Sequence, residues 1–185
     1  GENYPEETQR KIQELKNFPV IQWHMIGHLQ SRKIKLMLPH FGLIHSVDSL
    51  ELATKLDRFY GAAGKTCTVL LEVNISGEES KFGFPTSNVL AKKLFVDNLE
   101  TLFNFKNLQI KGLMTMPPLG TSEQQASAYF DQCRFLLEEI QTKYNAKSFI
   151  ELSMGTSLDY QTAIRCGATY VRVGEAIMGH RNYFK

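Results

Sequence analysis

Six short apolar runs, separated by stretches of helical character, constrain this chain more than any other feature. They are Val20 to Gly27, Leu43 to Val47, Thr68 to Val73, Leu108 to Met114, Phe149 to Leu152 and Tyr170 to Val173. Each is rich in β-branched or aliphatic residues, and none alternates polar with apolar positions as a strand with one wet face would. Strands buried on both faces need helices outside them. The intervening segments supply these: Pro5 to Lys16, Ser49 to Tyr60, Thr86 to about Asn98, Ser122 to about Tyr144 and about Leu158 to Cys166. Pro5 stands where a first helical turn tolerates proline, Ser49 and Ser122 at cap positions, Gly61 and Gly64 at a helix stop, and Pro117-Pro118 where a ladder cannot continue. The pattern predicts a parallel α/β sheet, as a closed (β/α)8 barrel or an open doubly wound sheet. No linker, repeat or low-complexity stretch divides residues 1–185, which read as a single domain.

Composition removes several classes of function. The 21 Lys and Arg against 19 Asp and Glu leave a net charge of +2, too small for a polyanion-binding surface, so nucleic acid is not an expected partner. No run reaches the roughly 18 apolar residues of a membrane span, and Gly1 to Glu7 has neither the basic start nor the apolar core of a signal peptide. Cys67, Cys133 and Cys166 are far apart and form no C-x-x-C pair, which predicts reduced thiols and a cytoplasmic location. His24 and His28 are four apart, but His24 falls in a strand, so the pair does not read as a zinc site.

Ligands of parallel α/β folds sit beyond the carboxyl ends of the strands, and four such segments carry polar chemistry. In Ser153-Met154-Gly155-Thr156-Ser157, a glycine for close backbone approach and two hydroxyls precede a helix start. This suits a phosphate, and it equally suits an ordinary helix cap aided by Asp159. In Tyr170 to Gly179, Arg172 interrupts an apolar strand, a costly position unless the guanidinium meets a ligand or a carboxylate. Gly174 follows it where phosphate-binding barrels place the second half of their site. In Gly27 to Lys33, His28 reads as a loop hydrogen-bonder, with Gln30 and Ser31 as caps. In Gly112 to Pro118, Met114 and Met116 lie flat on a ring or fill core space.

Together these segments resemble the pyridoxal 5'-phosphate homeostasis protein family, single-domain relatives of the alanine racemase barrel. The match is carried by Gly1-Glu2-Asn3-Tyr4, Trp23-His24-x-Ile26-Gly27-His28-Leu29-Gln30-Ser31-x-Lys33, Val73-Asn74 with Lys81-x-Gly83, and Gly112-Leu113-Met114-Thr115-Met116. It continues through Leu152-Ser153-Met154-Gly155-x-Ser157-x-Asp159 and Val171-Arg172-x-Gly174 to Gly179-x-Arg181. The resemblance implies a (β/α)8 barrel of the alanine racemase N-terminal-domain type. It also implies pyridoxal 5'-phosphate (PLP) as cofactor, with Ser153, Met154, Gly155, Thr156, Ser157 and the Gly174 backbone around the phosphate. Arg172 would face the pyridine nitrogen, and Asn3 and Met114 would line the pocket near the ring. A cation at that nitrogen disfavours its protonation, which suits holding the cofactor better than driving carbanion chemistry. Arg32 replaces a usual Asn and Thr156 a usual Met, and Thr156 adds a donor.

In the family the Schiff-base lysine lies on the first barrel strand, upstream of the Gly-Glu-Asn-Tyr segment at which this sequence starts. Lys33 and Lys81 match other positions. Six visible strands where a barrel has eight agree with this, so the expectation is a barrel lacking its first two strands, with exposed sheet edges and weak or absent retention of PLP, without the covalent imine. The resemblance implies a PLP carrier without turnover, monomeric or weakly dimeric, with PLP-dependent apoenzymes as partners. A PLP-dependent amino-acid racemase is one alternative, and only 13 residues follow Arg172 to supply its second base. A barrel enzyme acting on a phosphorylated small molecule is another, with Glu72 or Glu151 as base if either points inward.

Overall fold

Buried backbone must find its hydrogen-bond partners within the protein, so apolar strands pair with one another. In the computed structural model, which describes residues 1–18, 21–38 and 40–179, they form one parallel sheet. Its strands are β1 (Trp23–Met25), β2 (Phe41–Val47), β3 (Cys67–Asn74), β4 (Phe84–Pro85), β5 (Leu108–Met114), β6 (Glu151–Thr156) and β7 (Tyr170–Arg172). The helices are α1 (Pro5–Glu14), α2 (Leu50–Ala62), α3 (Val89–Phe103), α4 (Glu123–Tyr144), α5 (Tyr160–Arg165) and α6 (Glu175–Met178), with a 3-10 helix at Ser31–Leu36.

The strand order is β1-β2-β3-β5-β6-β7, and the two-residue β4 pairs with the end of β3. A doubly wound sheet reverses its order at a switch point, and this one does not. The sheet is also curled on itself. Tyr170, on the last strand, lies 5.8 Å from His24 on the first and 5.3 Å from His45 on the second, measured between ring centroids. Sequential order and inward curl are the geometry of the (β/α)8 class, here with six strands in the main path. On the far side of β1, Glu2 forms a parallel bridge with Met25, through Glu2 N–H to the His24 carbonyl and Ile26 N–H to the Glu2 carbonyl, both 2.9 Å.

The two faces of the sheet bury different residues. Outward, Ile44, Val69, Leu71, Val73, Leu113, Leu152 and Met154 join the main core with the helices, where α4 contributes Ala126, Phe130, Cys133, Leu137 and Ile140 at helical spacing. Inward, Leu43, Leu70 and Met114 form a small cluster with Tyr170 against it. Ser49 and Asn88 cap α2 and α3, and Ser122 forms a full capping box with Gln125 at the start of α4. All three cysteines are buried and free, and burial pushes the Cys67 and Cys133 thiols up to about 12. Among the described residues no helix is long and apolar enough to cross a membrane.

Several boundaries differ from expectation. β1 is confined to Trp23–Met25, and Val20 lies outside the described residues, as does Arg181. α3 begins at Val89 rather than Thr86, because Asn88 supplies the cap and Phe84–Pro85 is drawn into pairing with β3. β6 begins at Glu151 and runs to Thr156, later than the Phe149 to Leu152 run. Phe149 belongs to the turn after α4, its N–H bonded to the Ala146 carbonyl and its carbonyl accepting from Gln141 Nε2. The Ser153 segment is therefore strand for most of its length and not loop.

Candidate functional site

Arg172 decides the character of the interior. Its strand pairs with β6, placing Arg172 opposite Thr156, and its side chain enters the barrel instead of facing solvent. Nη1 donates to Ser153 Oγ at 2.8 Å and Nη2 to the Thr115 carbonyl at 3.0 Å. A structural arginine in a sheet would be expected to pair with a carboxylate, and among the described residues this one forms no ion pair. Burial pulls its pKa down to about 10, against the opposing pull of Glu72 and Asp159, so the guanidinium remains a cation at neutral pH.

The strand-end hydroxyls are arranged around it. Asp159 Oδ1 accepts from the Thr156 N–H at 2.6 Å and from Thr156 Oγ1 at 3.0 Å, which closes a tight turn before α5. Ser157 does not cap α5. Its Oγ accepts from the Gly174 N–H at 3.1 Å and the Ala176 N–H at 3.2 Å, so two main-chain donors converge on one oxygen. A phosphate oxygen asks for that convergence, and the serine hydroxyl occupies the position. A Cβ at Gly174 would meet nothing within 4 Å, which leaves open space beside these donors. Gly155 is required by a neighbouring helix. At φ +90° it has its hydrogen where a Cβ would lie 2.5 Å from Ala163 Cβ and 2.9 Å from Tyr160 Cα, so its smallness lets α5 close on the strand end.

The remaining expected residues divide. Met114 is buried inside the barrel beside Tyr170. Asn3 is exposed at the carboxyl end of β1, its backbone packed so closely on Gly27 that a Cβ there would stand 2.6 Å from the Asn3 carbonyl oxygen. Met154 is fully buried in the main core on the helix side of β6, because strand alternation turns it away from Ser153, and only its main chain borders the mouth. Lys33 is held in an ion pair with Glu6 at 2.9 Å. Lys81, Thr156 and Ser157 line a cleft of about 540 Å³ between the loops after β5 and β6, a cleft that Arg172 does not line.

Sequence reasoning missed His45 and the partner it finds in His24. His45 Nδ1 lies 2.7 Å from Ser153 Oγ, and His45 Nε2 lies 3.1 Å from His24 Nδ1. Burial, then the charges of His24 and Arg172, push the His45 pKa down to about 3, and burial also lowers that of His24. Both are neutral imidazoles at neutral pH. Glu72 does point inward. It is 6% exposed, and burial followed by Asp48 raises its pKa to about 7 against the pull of Arg172 and Lys81. Glu151 lines a small recess with Thr68 and Tyr170 at the opposite end of the barrel, away from the mouth. His28 pairs with Asp48 at 2.9 Å and stacks on Phe82, ring centroids 3.8 Å apart, along the rim.

Comparison with known proteins gives the family of this fold. The pattern described as alanine racemase, N-terminal domain, matches residues 8–182. The pyridoxal phosphate homeostasis protein of Aquifex aeolicus (strain VF5) is 38% identical over 183 residues, which span 99% of this chain and 77% of that protein. The chain belongs to the pyridoxal phosphate homeostasis protein family. The human protein of that name is also 38% identical, over 194 residues covering 100% of this chain and 69% of its own. Within the same fold, PipY of Synechococcus elongatus PCC7942 without PLP superposes with a TM-score of 0.89 at 36% identity, over 97% of this chain and 80% of that one. PipY has also been solved with PLP bound, with a TM-score of 0.87 at 35% identity. Alanine racemase of Clostridium difficile 630, at 17% identity and a TM-score of 0.69, shares the fold.

Proposed function

We propose that this chain binds PLP in its barrel mouth and serves to hold and manage the free cofactor rather than to turn over a substrate. One observation carries the reading: Arg172 enters the barrel opposite Thr156, while the Gly174 and Ala176 N–H groups, just after it in the chain, converge on the single Ser157 oxygen. A phosphorylated pyridine presents a dianion and an aromatic nitrogen, and those are the two groups such an arrangement complements. The phosphate takes the converging donors, with Thr156 and Ser157 hydroxyls adjoining, and Arg172 meets the ring nitrogen. When bound, PLP supplies an aldehyde and an electron-withdrawing ring. The guanidinium opposes protonation of that ring and so weakens its pull on electrons, which favours storage over chemistry. Asn3 and Met114 are the neighbours we assign to the ring. The family names of its relatives and PipY with PLP bound support the same reading. The partners it implies are PLP-dependent apoenzymes, met by a monomer or weak dimer in the cytoplasm, where its buried free thiols stay reduced.

The test is a titration of the protein with PLP, followed by absorbance and by equilibrium dialysis, beside pyridoxal lacking the phosphate. Saturable binding of PLP, and weakening by about 10- to 100-fold in Arg172→Leu, are expected for loss of a charge-assisted contact. Equal affinity for pyridoxal and PLP would remove the phosphate seat from the account. A panel of amino acids should show no racemisation. Glu72 gives some weight to a second reading, a barrel enzyme acting on another phosphorylated small molecule, because a buried inward carboxyl with a pKa near 7 is placed to act as a base. That reading predicts sugar phosphates competing with PLP at comparable concentrations.

A further inference from the structure

Four side chains from four strands form an unbroken hydrogen-bonded chain across the barrel interior: Arg172 of β7, Ser153 of β6, His45 of β2 and His24 of β1. Elementary donor and acceptor counting fixes its direction. A guanidinium only donates, so Arg172 takes one lone pair of Ser153 Oγ. Ser153 is fully buried, and its own hydroxyl hydrogen must be accepted by something; among the described residues His45 Nδ1 is the acceptor within reach. His45 Nδ1 is then bare, its proton sits on Nε2, and that N–H donates to His24 Nδ1, which leaves the His24 proton on Nε2. The opposite direction would leave a buried serine hydrogen without a partner, at a cost of about 1–3 kcal/mol. The neutral state of both imidazoles is consistent with this order, because an imidazolium at His24 would present a second hydrogen to His45.

We infer that His45, acting through Ser153 with His24 behind it, is a positioning residue that holds the Arg172 guanidinium toward the ligand in the barrel mouth. With the Thr115 carbonyl fixing Nη2 from the end of β5, the Ser153 oxygen leaves the guanidinium one orientation, its remaining N–H groups free for the ring. The relay ties the first strand of the sheet to the last, so it also holds the two edges at a set distance. The assignment of a ring-facing role rests on the PLP reading above; the tautomers do not.

Two measurements test it. Nitrogen-15 NMR of the unliganded protein should show His45 and His24 both protonated on Nε2 and bare on Nδ1. His45→Leu should bind PLP at least about 10-fold more weakly and shift the absorption maximum of the bound cofactor, since a loosened guanidinium changes the field at the ring. His45→Gln, whose amide can accept from Ser153 and donate to His24, should stay within about threefold of the parent with its spectrum preserved. A proton on His45 Nδ1, or a leucine variant with unchanged affinity and spectrum, overturns the inference. If the parent fails to bind PLP at all, the functional reading falls, and the tautomers alone still confirm or refute the relay.

Discussion

Glu72 is the residue with most to lose from its position. It is 6% exposed, forms no hydrogen bond or ion pair among the described residues, and its pKa is raised from 4.5 to about 7 chiefly by burial. The folded protein therefore keeps this proton to higher pH than the unfolded chain does. Below pH 4.5 the group costs nothing; as pH rises from 4.5 through about 7 it progressively lowers stability, and above that the loss is constant. Glu72→Gln should be more stable than the parent at pH 8 by up to about 3 kcal/mol, with the gain vanishing near pH 4.5, in urea unfolding at both pH values. An equal gain at both would assign the effect to packing. Arg172 was legible in the sequence because a permanent charge inside an apolar strand demands an explanation wherever it lies. His45 was not, since its meaning depends on Ser153, 108 residues away, and nothing local marks it.

Among the elements, α4 shows what local sequence can specify. Ser122 Oγ accepts from the Gln125 N–H at 3.3 Å and Gln125 Oε1 accepts from the Ser122 N–H at 3.0 Å, so the helix start is set by four residues. Ser122→Ala should cost about 1 kcal/mol in urea unfolding, the ordinary price of a lost serine cap. Strand β6 shows the opposite case. Its apolar run suggested Phe149 to Leu152, whereas the ladder begins at Glu151, where pairing with Gly112 of β5 is possible only because Gly112 has no Cβ, which would otherwise overlap the Glu151 backbone. Register between strands is set by such close approaches, which a single strand does not reveal. The same shift explains why Met154, read with its neighbours as part of the seat, turns its side chain into the core.

At the scale of the whole molecule, a helix-covered parallel sheet was legible from the apolar runs alone, and the choice of a curled over an open sheet was not. That choice appears only when Tyr170 is found beside His24, because curl is a property of strands packed together. The curl in turn makes the site: it carries residues from β1, β2, β6 and β7 to one interior, where Arg172, Ser153, His45 and His24 join in one hydrogen-bonded chain. The most direct check is a crystal structure of the protein soaked with PLP. The account predicts phosphate oxygens on the Gly174 and Ala176 N–H groups, the Ser157 hydroxyl displaced from them or bridging, and the ring nitrogen against Arg172. A cofactor seated elsewhere, or one whose ring nitrogen faces away from Arg172, would contradict it.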